Sequence, residues 1–210
     1  KHVSIHDNHI AGFHYGVLAV SADHSTVVDN VIGANVPATS FGVIFVNGFG
    51  NQARGNTISG ATFGIFASGE NGKLLGNNTS GNYVGIILCN VPPNSIELPD
   101  GRLSGAEIPA TRWLVQGNTS ANNGSVGFLV IDGSNNNTLT NNLGGGNGTY
   151  DVELTPDTYR FGLPYVLPAS YDNVVNAGPH QDIKIKDCGS SNTVHGGDQV
   201  DTKLDPCPVA

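Results

Sequence analysis

The sequence is poor in charged residues, and poorest in basic ones. Only 12% of its 210 residues are charged, and nine Lys and Arg stand against seventeen Asp and Glu, for a formal net charge of −8. Nucleic-acid binding depends on clustered basic residues that neutralise phosphates, and here the basic residues are scattered along the chain. The composition therefore argues against a nucleic-acid partner.

Long apolar runs and methionine are missing as well. No run approaches the roughly 20 apolar residues that span a bilayer, and no signal peptide is visible, so we expect no membrane span. The chain opens at Lys1 inside repeat-like sequence, which predicts a processed or trimmed piece of a longer protein.

Cysteine is scarce, with three copies. Cys89 lies in an apolar strand, where we expect a buried and inert thiol. Cys188 and Cys207 are 19 positions apart, close to the length of one repeat, so they could meet as a disulfide between neighbouring repeats. Such a bond would fit an oxidising compartment.

Glycine and asparagine, by contrast, are abundant and recur with a period of about 22 residues. A short strand, an asparagine and a turn repeat in IHDNHI, VVDNVI, ARGNTI, LLGNNT, VQGNTS and LTNNLG. The one double-length step is explained by a proline-rich insertion loop over residues 90–111. Stacked repeats would align their asparagines as a ladder that bonds turn backbone. The aligned positions are Asn8, Asn30, Asn56, Asn77, Asn118 and Asn142.

A second signature follows each asparagine: YGVLAV, FGVIFV, FGIFAS, VGIILC and VGFLVI, continued by YDVELT and QDIKIK with the glycine replaced. A single repeat cannot bury its own apolar face, but stacking aligns like residues into interior columns. One predicted column is Val17, Val43, Ile65, Ile86, Phe128 and Val152, and a second is Ile5, Val27, Ala53, Leu74, Val115 and Leu139. The same alignment stacks Glu153, Lys184 and Asp201 on a solvated outer face.

These two signatures resemble the repeats of the pectate-lyase-like superfamily and, more loosely, of NosD-like β-helix proteins, over roughly residues 1–190. The resemblance implies a right-handed solenoid with three sheets per coil, usually extracellular or periplasmic and often handling polysaccharide. We therefore predict an all-β, right-handed single-stranded parallel β-helix of about seven or eight coils. One domain would cover 1–210, with an irregular excursion at 155–170 and end coils over 171–210.

The second signature is apolar on both faces of its strand, which is typical of a strand buried on both sides. We expect the insertion loop to cover the outward set. A homo-oligomer or a missing part of the parent chain are the other candidate coverings. The outward set is Leu18, Ile44, Phe66, Ile87 and Leu129.

Candidate catalytic residues are few. Lyases on the fold that the chain resembles need a base and a cation that neutralises a uronate. The best basic candidate is Arg54, with Asp29 and Asp7 one and two coils earlier, although a surface salt bridge explains the same residues. An enzyme should form a cleft between the 90–111 loop and Arg54, Asp29 or Lys73. Asp7 and Asp29 also stand where other repeats have a turn glycine.

Five histidines fall within the first 24 residues, but His2 and His6 are too far apart along one strand to share an ion. No methionine or paired thiols offer soft copper ligands. GGNGTYD, at residues 145–151, approaches a calcium-binding repeat but has one residue too many before its aspartate. We expect no metal site and no cofactor, with calcium as the one candidate ion.

Another row of polar side chains precedes the second signature and could hydrogen-bond and stack on sugars. Its candidate ligand-binding members are His14, Ser40, Thr62 and Tyr83, and ordinary solvated turns explain them as well. Three functions remain open. The first is a secreted, periplasmic or cell-surface module that binds polysaccharide. The others are a polysaccharide lyase, epimerase or hydrolase, and a structural solenoid of a surface protein.

Overall fold

The computed structural model describes residues 2–34, 39–91, 107–156, 168–178 and 182–207. Every helix or strand element within these ranges is a β-strand. Most of the two predicted excursions, residues 92–106 and 157–167, lies outside the described residues. The strands are β1 Ser4–His6, β2 His9–Ala11, β3 Tyr15–Val20, β4 Thr26–Val28, β5 Val31–Gly33, β6 Phe41–Val46, β7 Gln52–Arg54, β8 Thr57–Ser59, β9 Phe63–Ala67, β10 Gly69–Glu70, β11 Lys73–Leu75, β12 Val84–Leu88, β13 Ala110–Thr111, β14 Leu114–Gln116, β15 Phe128–Ile131, β16 Thr138–Thr140, β17 Val152–Thr155, β18 Val174–Gly178, β19 Lys184–Asp187, β20 Thr193–Gly196 and β21 Asp198–Gln199.

The strands stack as a parallel β-helix. Sheet 1 has the order β1-β4-β7-β11-β14-β16-β18-β20, and sheet 3 has the order β3-β6-β9-β12-β15-β17-β19-β21. Between them, sheet 2 contains β2, β5 and β8 and continues as single bridges through Asn78, Thr119 and Leu143. Each coil gives one strand to sheet 1 and one to sheet 3, so the eight strands of each sheet correspond to eight coils. The predicted right-handed parallel β-helix is confirmed.

The register of the predicted interior columns is confirmed. Val17 pairs with Val43, Val43 with Ile65, and Ile65 with Ile86 along sheet 3. Ile86 in turn pairs with Phe128 and Phe128 with Val152. The sheet 1 column from Ile5 to Leu139 is in register in the same way. Both columns belong to one continuous core that runs the length of the solenoid.

The predicted asparagine ladder lies at the corner between sheets 1 and 2. The Oδ1 of each ladder asparagine after Asn8 accepts hydrogen bonds from the backbone N–H and the Nδ2 of the asparagine one coil earlier. At Asn77 these two bonds come from Asn56 and measure 3.1 and 2.9 Å. The members from Asn30 to Asn142 are buried, so water cannot bond their amide groups. The hydrogen bonds of the ladder satisfy these groups instead.

Two further ladders occupy the other corners, and neither was predicted. Before sheet 1, the Oδ1 atoms of Asn137, Asn173 and Asn192 accept from the backbone N–H of Trp113, Asn137 and Asn173 at 2.8–3.0 Å. Before sheet 3, Asn82, Asn123 and Asn147 form the third ladder in the same manner. Asparagine is therefore abundant because it satisfies backbone groups at all three corners.

The signature glycine is required by close approach between coils. A Cβ placed on Gly64 would lie 2.5 Å from the carbonyl oxygen of Gly85, and one on Gly85 would lie 2.7 Å from that of Gly127. Any side chain here would force neighbouring coils apart.

The outer face of sheet 3 is partly covered, as the doubly apolar strands indicate. Ile87 and Leu129 are buried, and Ile44 packs in one cluster with Val91 and Ile108 at the two ends of the insertion loop. These ends therefore cover part of the face, which agrees with the loop hypothesis. Phe66 is half-buried and Leu18 is 55% exposed, so the covering does not extend to the first coil.

The predicted stacking of the end coils is wrong by two residues. Val152 pairs with Ile185 rather than Ile183, so Glu153 lies beside Lys186 and not beside Lys184. Both Glu153 and Lys186 are buried, whereas the alignment predicted a solvated face. A two-residue slip preserves the inward and outward alternation of a strand, and the pattern of apolar residues therefore could not distinguish the two registers.

Lys186 is covered by the C-terminal segment of residues 198–207, which we call the C-terminal strap. Cys207 is joined to Cys188 by a disulfide, and Asp205 accepts hydrogen bonds from Lys186 Nζ at 3.0 Å and from the Tyr150 hydroxyl. These hydrogen bonds, that from Tyr150 first, hold the pKa of the Asp205 carboxyl below its usual value. The strap thus brings a counter-charge to a buried lysine.

Candidate functional site

An open cleft of about 390 Å³ lies beside the corner between sheet 3 and the next coil's sheet 1. We call it the loop cleft, because the C-terminal end of the insertion loop forms one wall. The opposite wall comes from the corners of three successive coils. Its lining residues are Asp23, Asn47, Gly48, Phe49, Gly69, Glu70, Glu107, Ile108, Pro109 and Thr111.

The floor of the loop cleft is backbone. A Cβ on Gly48 would lie 2.1 Å from the carbonyl oxygen of Ala22, and one on Gly69 would lie 2.4 Å from that of Gly48. Neither position has room for a side chain. Phe49 follows directly, bridges Glu70 in the next coil and leaves 46% of its surface exposed. The cleft therefore combines backbone at Gly48 and Gly69 with one accessible aromatic ring.

Phe49 ends a row of rings along the solenoid axis. Its centroid lies 5.4 Å from that of His24, which lies 5.3 Å from that of His2. These spacings follow the separation of neighbouring strands, since each ring comes from a successive coil. This ring row extends a stacking surface beyond the cleft.

The loop wall is fastened by backbone pairing. Strand β13 pairs with β10 in parallel, and Ile108 bridges Val91 in antiparallel fashion. Glu107 accepts a hydrogen bond of 3.2 Å from Asn90 Nδ2, and Arg112 Nη2 lies 2.5 Å from Glu70 Oε2. These backbone and side-chain contacts therefore hold the loop wall against the neighbouring coil.

The predicted catalytic residues lie at another corner, between sheets 1 and 2. Arg54 is exposed and is flanked in register by the apolar Val28 and Leu75. Asp7 and Asp29 have φ of 56° and 53°, so they fill the left-handed turn position that glycine fills in other coils. None of the three lines the loop cleft. The described C-terminal end of the insertion loop, residues 107–111, lines the loop cleft and not this corner, and the cleft expected of an enzyme, between the loop and Arg54, Asp29 or Lys73, stays a prediction.

The predicted ligand-binding row divides into buried and exposed members. Ser40 is only 1% exposed, and its hydroxyl accepts from the Thr62 backbone N–H at 3.2 Å while Thr62 Oγ1 accepts from that of Ser40 at 3.1 Å. Thr62 is half-buried. His14 is exposed, and Tyr83 is 53% exposed. A ligand could therefore reach His14 and Tyr83, whereas Ser40 serves the corner backbone.

The side chains that could bind a metal ion are dispersed over the described part of the chain. Among the described residues, no group of three or more His, Cys, Asp or Glu side chains is placed to hold an ion. Burial, followed by the charge of Asp132, raises the pKa of the Cys89 thiol well above its usual value, which disfavours the thiolate that binds metals. Asp151, the aspartate of the near-calcium motif, instead accepts from Gly145 N–H, Asn147 Nδ2 and Lys184 N–H at 2.6–2.9 Å.

Sequence reasoning missed the residues of the loop cleft. One signal was present in the sequence: Phe49 lies between two glycines in the turn VNGFGN. An aromatic side chain in such a turn is not part of a buried strand. Ala110 and Thr111 follow the 41-residue offset of the predicted Leu74–Val115 pair. Glu107–Pro109 could not be placed from the sequence, because the antiparallel bridge of Ile108 to Val91 lies outside the repeat.

Solved structures with this fold include an alginate epimerase, a mannuronan C-5 epimerase and a tailspike protein. A mutant of the periplasmic alginate epimerase AlgG has a TM-score of 0.56 and 16% identity, covering 95% of this chain and 51% of that one. The A-module of the mannuronan C-5 epimerase AlgE6 from Azotobacter vinelandii has a TM-score of 0.50 and 14% identity, over 85% of this chain and 58% of that one. The Dettilon tailspike protein has a TM-score of 0.52 and 14% identity, over 87% and 37%. At these identities the likeness shows the fold alone.

No curated protein sequence matches the chain. A family model described as periplasmic copper-binding protein (NosD) matches residues 1–156. The donor side chains of the described residues do not fit a copper site, since no three of them converge and the chain has no methionine. The match nevertheless covers well over half of the sequence, and the chain therefore belongs to the NosD family of parallel β-helix proteins.

Proposed function

We propose that this chain is an extracytoplasmic module that binds a polysaccharide in the loop cleft. The observation that carries the proposal is the exposed ring of Phe49 on a concave, backbone-floored surface. Aromatic rings bind the apolar faces of sugars, while carboxylates, amides and backbone groups around them bond the hydroxyls. The cleft supplies both kinds of group, with Asn47, Asp23 and Glu107 at its edges.

The ring row favours a polymer over a single sugar. His2, His24 and Phe49 follow one another along the solenoid axis at successive coils. A chain of sugars laid along this axis would meet the rings one after another, and the contacts would add. The family's periplasmic description and the action of the epimerases AlgG and AlgE6 on polysaccharides support the same class of ligand.

Binding is favoured over catalysis by the position of the candidate catalytic groups. Arg54, Asp29 and Asp7 lie at a different corner from the cleft, and Arg54 has apolar neighbours in its row. A base that never meets the bound polymer cannot abstract its proton. A lyase, epimerase or hydrolase activity is the alternative, and a rise in reducing ends or unsaturated ends on any polysaccharide would favour it.

The test is binding of soluble polysaccharides to the full chain and to Phe49→Ala. We expect Phe49→Ala to weaken binding about tenfold, because an accessible aromatic ring is the type of residue that dominates an interface. Tyr15→Ala is the matched control, since Tyr15 is an aromatic residue with 58% exposure outside the cleft. Circular dichroism on each variant would verify that the solenoid is intact.

The predicted row is tested in the same series by Tyr83→Ala. Tyr83 is about as exposed as Phe49 but belongs to the corner before sheet 3. If Tyr83→Ala abolishes binding and Phe49→Ala does not, the polymer binds along His14 and Tyr83 and the cleft proposal is wrong. Full affinity in both variants would also contradict it.

A further inference from the structure

The charges around the loop cleft bear on which polysaccharide it takes. Three carboxylates line it, those of Asp23, Glu70 and Glu107. Arg112 pairs with Glu70 and neutralises one of them. Among the described residues, Asp23 and Glu107 have no cationic partner, so two negative charges remain at the edge of the cleft.

Both remaining carboxylates are held by uncharged donors. Asp23 Oδ1 accepts from the Phe49 backbone N–H at 2.9 Å, and Glu107 Oε2 accepts from Asn90 Nδ2 at 3.2 Å. Within the described part of the chain each group accepts one hydrogen bond, so its other oxygen can accept one from a ligand. Both residues are exposed, and one lies on each wall.

We propose that the loop cleft selects a polysaccharide with free amino groups over one with uronate carboxylates, an inference that rests on the proposed function above. A protonated amine seated on Phe49 would have an acceptor on either side. A uronate would bring a like charge beside Asp23 and Glu107, and the chain's net charge of −8 would add repulsion at longer range. The preference would differ from that of the alginate epimerases that share the fold.

The ligands for the test are chitosan oligosaccharides, their fully N-acetylated counterparts and mannuronate oligosaccharides of equal length. The first two share one sugar backbone and differ in the acetyl group, which removes the positive charge of the nitrogen and adds a carbonyl and a methyl. Titration calorimetry with the full chain, at low ionic strength and a pH where the amines are protonated, would give the affinities. We expect the amino form to bind about fivefold more tightly than the acetylated form, with the uronate weakest. Added salt should narrow the difference.

The variant that isolates the charge is Asp23→Asn with Glu107→Gln. Each amide keeps an oxygen to accept the existing hydrogen bond, so the walls of the cleft should stay in place. We expect the preference for the amino form to fall to within about twofold. Asp172→Asn with Asp198→Asn is the matched control, because it removes two exposed carboxylates outside the cleft and should keep the full preference.

The outcomes separate this inference from the proposed function. If binding depends on Phe49 but the three ligands bind equally, or the uronate binds best, the charge inference is overturned and the cleft remains the site. A preference that survives Asp23→Asn with Glu107→Gln overturns it too. If Phe49→Ala has no effect on any ligand, the proposed function itself fails.

Discussion

At the scale of single residues, the ladder asparagines satisfy backbone groups that the turns of the solenoid would otherwise leave unpaired. Asn77 is 1% exposed. It accepts from the Asn56 backbone and side chain, and its Nδ2 donates to Ala53 O at 3.0 Å and to Asn118 Oδ1 at 2.9 Å. One side chain thus joins three neighbouring coils.

Replacing Asn77 with alanine should therefore destabilise the chain strongly. The change leaves several buried donors and acceptors unpaired, and each costs on the order of 1–3 kcal/mol. We expect the free energy of unfolding, measured by urea denaturation, to fall by about 3 kcal/mol or more. Asn78→Ala is the control, because Asn78 is exposed and accepts one local hydrogen bond from Ser80 N–H. Equal losses in the two variants would contradict a ladder role.

At the scale of elements, the C-terminal strap is fixed by one covalent bond and a few polar contacts. The disulfide Cys188–Cys207 closes it, while Lys186 donates to Asp205 and to the carbonyl oxygen of Pro206. Strand β21 adds backbone bonds, from Asp198 N–H to Ile183 O at 2.7 Å and from Val200 N–H to Ile185 O at 2.9 Å. The strap has little apolar packing, so the disulfide should dominate its stability.

Substituting both Cys188 and Cys207 with serine should loosen the strap ahead of the other coils. Closing a loop of this size is worth about 3 kcal/mol, so we expect amide exchange at Val200 to accelerate by about 100-fold. Exchange at Val130, in the buried strand β15, should not change. Leu204→Ser is a control, since Leu204 is 85% exposed within the strap. Unchanged exchange in the double serine variant would show that the polar contacts suffice.

At the scale of the whole molecule, the chain belongs to a family described as copper-binding. Among the described residues, however, the side chains that could bind copper are dispersed along the solenoid. Two of the histidines, His2 and His24, lie side by side with ring centroids 5.3 Å apart. A solenoid separates residues that are close in sequence onto different faces. Several histidines in one segment therefore do not make a site.

Copper should accordingly leave the thermal stability of the chain unchanged. A ligand that binds only the folded state stabilises it by an amount that grows with the logarithm of the ligand concentration over its Kd, and two imidazoles alone bind weakly. We expect equimolar Cu²⁺ to shift the melting temperature by less than about 1 °C. A rise of several degrees that disappears in His24→Ala would contradict this expectation and locate copper at the ring pair.

The sequence by itself determined the repeat. A coil cannot bury its own apolar face, so Val17 and its equivalents must align across coils, and the asparagine and glycine positions follow from the turns and close contacts of that stack. The register over the first six coils and the ladder from Asn8 to Asn142 were therefore predictable from the spacing, and the resemblance to known β-helix repeats implied the right-handed three-sheet coil.

Only the tertiary structure decided how the described end of the insertion packs and in which register the last coils stack. The part of the wall at Glu107–Pro109 is placed by the antiparallel bridge of Ile108 to Val91, and no periodicity encodes that contact. The slip that sets Glu153 beside Lys186 is invisible to a pattern with period two. Parallel stacking repeats from coil to coil, whereas the loop wall of the cleft also depends on an antiparallel contact outside that repeat.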